Sequence, residues 1–129
     1  LSNQFRNVSH MDRISDFPEF KRGWDYVREH GLTDVDPWTV YTNSSEIEPR
    51  TAAVNSRYPN RIVVCFAERV DTDDVACLII RPGAGENAGN VMVLHDFASP
   101  GTEIDVTVNS FWEWFRLAVD DMIDIARHS

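Results

Sequence analysis

The chain is short of basic charge and of cysteine, and each shortage removes a class of function. It has 12 Lys and Arg against 21 Asp and Glu, a formal net charge of −9. Recognition of DNA, RNA and anionic membranes is built on Lys and Arg neutralising phosphates, so neither a nucleic acid nor a membrane surface is an expected partner. The two cysteines, Cys65 and Cys77, sit in apolar runs. They are too few for a disulfide framework, and no Cys-x-x-Cys or His-x-x-x-His spacing accompanies them to make a zinc site. They read as a pair of buried thiols, bridgeable only if their strands are neighbours. No apolar run approaches the roughly 20 residues of a membrane-spanning helix. The opening LSNQFRNVSHM has neither the basic lead nor the apolar core of a signal peptide. It also lacks an initiating Met, Met11 being an alternative start, and a cytoplasmic location is the expectation. Repeats, low-complexity tracts and linkers are absent.

What is present is material for one core. Hydrophobic residues make up 43% of the 129, with four Trp and seven Phe. A single domain of this size buries about two thirds of its extended surface, enough to fold without metals or disulfides.

Residues 1–15 are polar and weakly patterned, so a loose start is expected. Asp16-Phe17-Pro18-Glu19 then reads as a helix opening, with Asp16 as cap and Pro18 in the first turn. Phe17, Phe20, Trp24 and Val27 recur at helical spacing, and Gly31 suits the end, so a helix over about 17–29 is predicted. A connector follows, then a short extended segment at Trp38–Tyr41. Thr42–Glu46 breaks that segment or caps a helix, and 49–56 suits a short helix. Four strands are predicted at 62–67, 75–81, 91–95 and 104–108, the first two apolar enough to be central. Ser110-Phe111-Trp112-Glu113 forms a capping box before an amphipathic helix over 111–126. Phe111, Phe115, Ala118, Met122 and Ile125 lie on its apolar stripe, broadened by Trp114, Leu117 and Val119. These elements make a single α+β domain over 1–129, its sheet mostly antiparallel and packed against the last helix.

No stretch builds a chemical site. Pro82–Asn90 carries three glycines but lacks the Lys-Ser or Lys-Thr of a phosphate loop, and it precedes a strand instead of a helix. A hairpin connection is the better reading. Asp71-Thr72-Asp73-Asp74 begins like a calcium loop, yet Ala76 and Pro82 stand where glycine and glutamate are needed. His95-Asp96 ends the third predicted strand. Adjacent strand residues point to opposite faces, which argues against a direct acid–base pair there. The other histidines, His10, His30 and His128, are scattered. Arg50, Arg57 and Arg61, with Tyr58 among them, are the densest basic group. They make a small phosphate-contacting patch, or Arg50 and Arg57 pair with acids of the same chain.

From Tyr58 onward the sequence resembles the SUKH superfamily. The resemblance is carried by Tyr58-Pro59 before the apolar strand Ile62-Val63-Val64-Cys65-Phe66-Ala67. An acidic turn follows, then Val75-Ala76-Cys77-Leu78 and Val91-Met92-Val93-Leu94-His95-Asp96. Ser110-Phe111-Trp112-Glu113-Trp114-Phe115 stands where the family opens a late helix with Ser-Phe-x-x-Phe. Thr72-Asp73-Asp74 occupies a turn where many members have glycine, and residues 1–57 do not follow the family's N-terminal pattern. The resemblance implies a mixed sheet of four to six strands flanked by helices. It also implies the role of most bacterial members, immunity proteins that bind and block a cognate toxin. No catalytic residue is implied, and neither a cofactor nor a metal. The expected mechanism is occlusion of a basic active-site cleft by acidic loops, with Asp71, Asp73, Asp74, Asp96, Glu103 and Asp105 as partner-binding residues. They are chosen for acidity and expected exposure. The protein partner would be a basic toxin domain, and the chain itself a monomer or homodimer. The alternatives are a regulatory interaction module with an endogenous partner and a small enzyme using His95.

Overall fold

The fold is carried by an antiparallel meander. In a computed structural model that describes residues 9–129, six strands lie in the sheet in sequence order. They are β1 (Asp34–Val35), β2 (Trp38–Val40), β3 (Ile62–Arg69), β4 (Asp74–Arg81), β5 (Val91–His95) and β6 (Ile104–Val108). Each of the four predicted strands is present within two residues of its predicted bounds. Every neighbouring pair is antiparallel, so the sheet is not mixed. β1 falls in the stretch read as a connector. It is the short arm of a hairpin in which Val35 faces Trp38 around Asp36-Pro37.

β3 and β4 are central, and their middle residues are buried on both faces. The helices provide that cover. They are α1 (Pro18–Glu29), α2 (Ser44–Arg57) and α3 (Phe111–Arg127), preceded by a 3₁₀ turn at Met11–Asp16. The α1–sheet–α3 core is aromatic. Phe66 of β3 meets Phe20 of α1 at 4.9 Å and Trp114 of α3 at 4.9 Å, and Phe20 meets Phe111 at 5.3 Å. Each such ring contributes about 1.5–3 kcal/mol by leaving water. Trp114, placed by the sequence at the margin of the α3 stripe, is fully buried at its centre. The helices cross closely at Gly23, where a Cβ would lie 2.6 Å from Phe111 Cδ2.

α2 docks differently. β2 pairs only with the last three residues of β3, which leaves the edge of β3 from Ile62 to Cys65 without a strand. Polar side chains of α2 satisfy it. Asn55 accepts from Val63 N at 2.9 Å and donates to Val63 O at 3.0 Å, while Thr51 Oγ1 accepts from Cys65 N at 2.9 Å. The buried Thr51 is thus a satisfied polar group that anchors the helix.

Gly31 adopts φ 67°, Leu32 N donates to Val27 O at 2.9 Å and Gly31 N to Arg28 O at 3.4 Å, the paired bonds that close a helix on a left-handed residue. Asp16 does not cap α1. Phe17 occupies the cap without a side-chain bond, because Asp16 is taken up by the preceding 3₁₀ turn and Phe17 N bonds Ile14 O. That turn also corrects the loose start as far as residues 9–15 are concerned; residues 1–8 lie outside the described residues. Ile14 is buried, and Glu48 of α2 accepts from His10 N and Met11 N. α2 starts five residues before the predicted 49–56 helix because Asn43 caps it through Glu46 N. Pro49 lies inside it rather than opening it. At α3, Ser110 Oγ accepts from Glu113 N, and the Glu113 carboxylate accepts from Asn109 N.

Cys65 and Cys77 face each other across β3 and β4 as free thiols, Sγ to Sγ 3.5 Å. Burial pushes the Cys77 thiol well above its usual range, so it stays protonated. No described helix is long and apolar enough to cross a membrane.

Candidate functional site

The meander brings the β3–β4 turn, the start of β4, the end of β5, the β5–β6 loop and the start of β6 to one end of the sheet. All six predicted partner-binding residues are therefore gathered there, but on different terms. Asp71, Asp73 and Asp105 are exposed and Asp74 is half-buried. Asp96 and Glu103 are buried, at 4% and 1% exposure. The expectation that these two present their charge outward is corrected: each is consumed by an internal ion pair.

Asp96 is bound from α2. Its carboxylate accepts from Arg57 Nε at 2.8 Å, Arg57 Nη2 at 2.6 Å, Arg50 Nε at 3.1 Å and Phe97 N at 2.9 Å. The Asp96 hydrogen bonds hold the Arg57 guanidinium above its ordinary value. Arg57 also stacks 4.3 Å from the centre of the Phe97 ring. Phe97 has φ 68°, a left-handed conformation rare for a bulky residue, and stays 65% exposed. Glu103 is bound by Arg61 Nη1 at 2.7 Å and by Gly101 N at 2.6 Å. Arg61, only 4% exposed, also bonds Glu86 through Nε and Nη2. Burial pushes the Glu103 carboxyl up, but these donors outweigh it and leave it below the usual range. Arg61 itself pulls Glu86 below that range. Arg50 and Arg57 thus pair with an acid of the same chain, one of the two readings of that basic group, and Arg61 does likewise.

Asp71, Asp74 and Asp105 lie on the α3 side. Arg69 bonds Asp71 at 2.7 Å and reaches Asp121 of α3 at 3.4 Å. The hydrogen bond from Arg69 lowers the Asp71 carboxyl. Asp74 and His95 are cross-strand partners, and Asp74 Oδ1 is 2.5 Å from His95 Nδ1. The β5–β6 ladder skips Asp105, a bulge that leaves its Oδ1 3.7 Å from His95 Nε2. His95 and Asp96 turn to opposite sides as strand alternation requires, one to Asp74 and the other to α2. The hydrogen bond that His95 donates to Asp74 raises the imidazole above its ordinary value, with Asp105 adding to the effect.

Sequence reasoning missed this Asp74–His95–Asp105 cluster because its members come from three strands. Correct pairing of β4, β5 and β6 was the signal that could have found it. One donor atom from each residue lies within 4.8 Å of the others, so the three could take a cation. The two carboxylates address different ring nitrogens, however, which suits a protonated imidazole clasped between two acids. Among the described residues the ring's hydrogen bond is to Asp74, and no Ser, Thr or Cys bonds it.

Two hollows flank this end. A shallow groove of about 390 Å³ on the α2 side is lined by Tyr41, Arg50, Arg57, Glu68 and Phe97. Its charges are mixed, and Tyr41 donates to Glu68 at 3.0 Å. The second hollow, about 270 Å³, opens between the sheet and α3 over Trp38, Val93 and Trp114. Asp74, Asp105 and Asp121 stand around it with Arg69. Leu117 on its flank is 37% exposed, and Val70 at 60% and Ile104 at 44% are exposed beside Asp71 and Asp105 in the chain.

Comparison with protein-family models, with curated proteins and with solved structures gives no match.

Proposed function

We propose that this chain is a non-catalytic protein-binding domain, an immunity protein of the SUKH kind that neutralises a toxin by binding it one to one. The acidic end of the sheet would close over the toxin's basic active-site cleft. The observation that carries the reading is the clustering of Asp71, Asp73, Asp74 and Asp105 at one end together with exposed Val70, Phe97 and Ile104. Charge steers the encounter, and apolar contact area supplies the hold. The acids that contact the partner are these four; Asp96 and Glu103 build the platform beneath them. The motifs from Tyr58 onward support the family assignment, and a toxin gene beside this one would give it a target.

The test is titration of the chain against the products of its flanking genes. Nanomolar binding to a basic toxin domain is expected, with at least a hundredfold loss in the Asp73→Lys, Asp105→Lys double variant. Unchanged affinity in that variant would remove the acidic end as the contact surface. Failure of every flanking product to bind, with reproducible capture of one housekeeping protein instead, would replace toxin neutralisation by the regulatory-module reading.

A further inference from the structure

We infer that the hollow between the sheet and α3 is an anchor site for one lysine or arginine side chain of the protein partner. The inference rests on the protein-binding reading above and names what the acidic end grips. At about 270 Å³ the hollow is below the ~300–1,000 Å³ of typical small-molecule pockets. It is a cleft for a single long side chain. Its floor of Trp38, Val93 and Trp114 and its flank of Val106 and Leu117 are apolar. Its rim is not, since Asp74, Asp105 and Asp121 come to it from β4, β6 and α3.

That combination selects the occupant. An anion would meet three carboxylates. A neutral apolar group would cover the floor and leave those carboxylates partly desolvated without a counter-charge. A lysine or arginine lays its alkyl stem on the floor and keeps its cationic head among the acids. The local charge allows it: three carboxylates face at most two cations, Arg69 and, when protonated, His95. Acceptors are also spare. Asp121 Oδ2 accepts from Trp38 Nε1 at 2.9 Å, which pins that side chain at the mouth, and its Oδ1 accepts nothing among the described residues. Asp105 accepts no hydrogen bond there either, its nearest cationic atom being His95 Nε2 at 3.7 Å.

The probes are Nα-acetyl-arginine amide, Nα-acetyl-lysine amide and the neutral Nα-acetyl-citrulline amide, titrated into the full chain. The readout is the indole N–H resonances of the four tryptophans. Saturable shifts are expected at Trp38 and Trp114 with both cationic probes, with Trp24 and Trp112 as internal references. The citrulline probe should give none. Asp105→Asn should weaken binding at least fivefold, and Asp73→Asn, outside the cleft, should not. Absence of a saturable shift, equal response to citrulline, or equal weakening by Asp73→Asn would overturn the inference. A silent cleft in a chain whose toxin binding is still abolished by Asp73→Lys, Asp105→Lys defeats only the anchor. A saturable cleft in a chain that binds no flanking product defeats only the toxin reading.

Discussion

Asp96 offers the sharpest division between a contact residue and a structural one. Asp96→Asn keeps the shape of the side chain and removes its charge. The native carboxylate accepts four hydrogen bonds, three from two guanidinium groups and one from Phe97 N. Removing one partner of a fully buried pair costs about 3–5 kcal/mol. Here Arg50 and Arg57 remain 24% and 31% exposed and can rehydrate in part, so the figure is reduced to roughly 2–4 kcal/mol. With a urea m-value of about 2 kcal/mol/M, the midpoint should fall by roughly 1–2 M. Asp73→Asn is the control, since the Asp73 side chain is exposed and makes no hydrogen bond or ion pair among the described residues; its stability should stay within about 0.5 kcal/mol of the parent. The assay is urea unfolding followed by tryptophan fluorescence. A midpoint for Asp96→Asn equal to that of Asp73→Asn would refute the argument and return Asp96 to the list of surface contacts.

Gly23→Ala should destabilise by about 1–2 kcal/mol in thermal unfolding, because overpacking against the buried Phe111 ring outweighs the roughly 1 kcal/mol of added helix propensity; a gain in stability would show that α1 and α3 are not in close contact there. Glu86 and Glu103 both titrate below their ordinary value of 4.5, so the folded state binds their protons more weakly than the unfolded state. The stability they contribute is fully present above 4.5 and is lost as pH falls through their folded values. Urea midpoints taken from pH 7 to 3 should drop in that window, and the Glu86→Gln, Glu103→Gln double variant should show a shallower drop; an unchanged slope would mean Arg61 does not hold them.

Strand positions were legible in the sequence because β3 and β4 are continuous apolar runs bounded by turn residues, a pattern that local composition alone sets. The capping of α3 by Ser110 was legible for the same reason. β1 was not, since two residues carry no periodicity and Val35 is a strand only by virtue of Trp38 opposite it. The start of α2 was obscured by Pro49, which reads as a helix opening but sits in its second turn. The candidate site divides along the same line. Acidity and expected exposure picked out six residues, and the pairing of the strands gathers them at one end. Whether an acid faces solvent depended on distant partners. Nothing near Asp96 in sequence announces Arg50 and Arg57, and Arg61 stands 42 residues from Glu103.

The strictly sequential order of the sheet has a consequence for how the chain reaches it. β3 and β4 close over the four residues Val70–Asp73, whereas β2 and β3 must close over the twenty-one residues 41–61. Loop-closure entropy makes the second step costlier by about 1.5 kcal/mol. The central hairpin should therefore zip first, β5 and β6 should add to it in turn, and the β1–β2 ribbon should arrive last, once α2 has formed and spanned the gap. The last piece to dock is also the first to detach, so amides of Val35 and Val40 should exchange with solvent ahead of those of Val64 and Leu78. The reverse order would place the nucleus elsewhere. A protein that frays from this edge keeps Asp74, His95 and Asp105 together, because they stand on β4, β5 and β6, while it takes Trp38 out of the floor of the cleft.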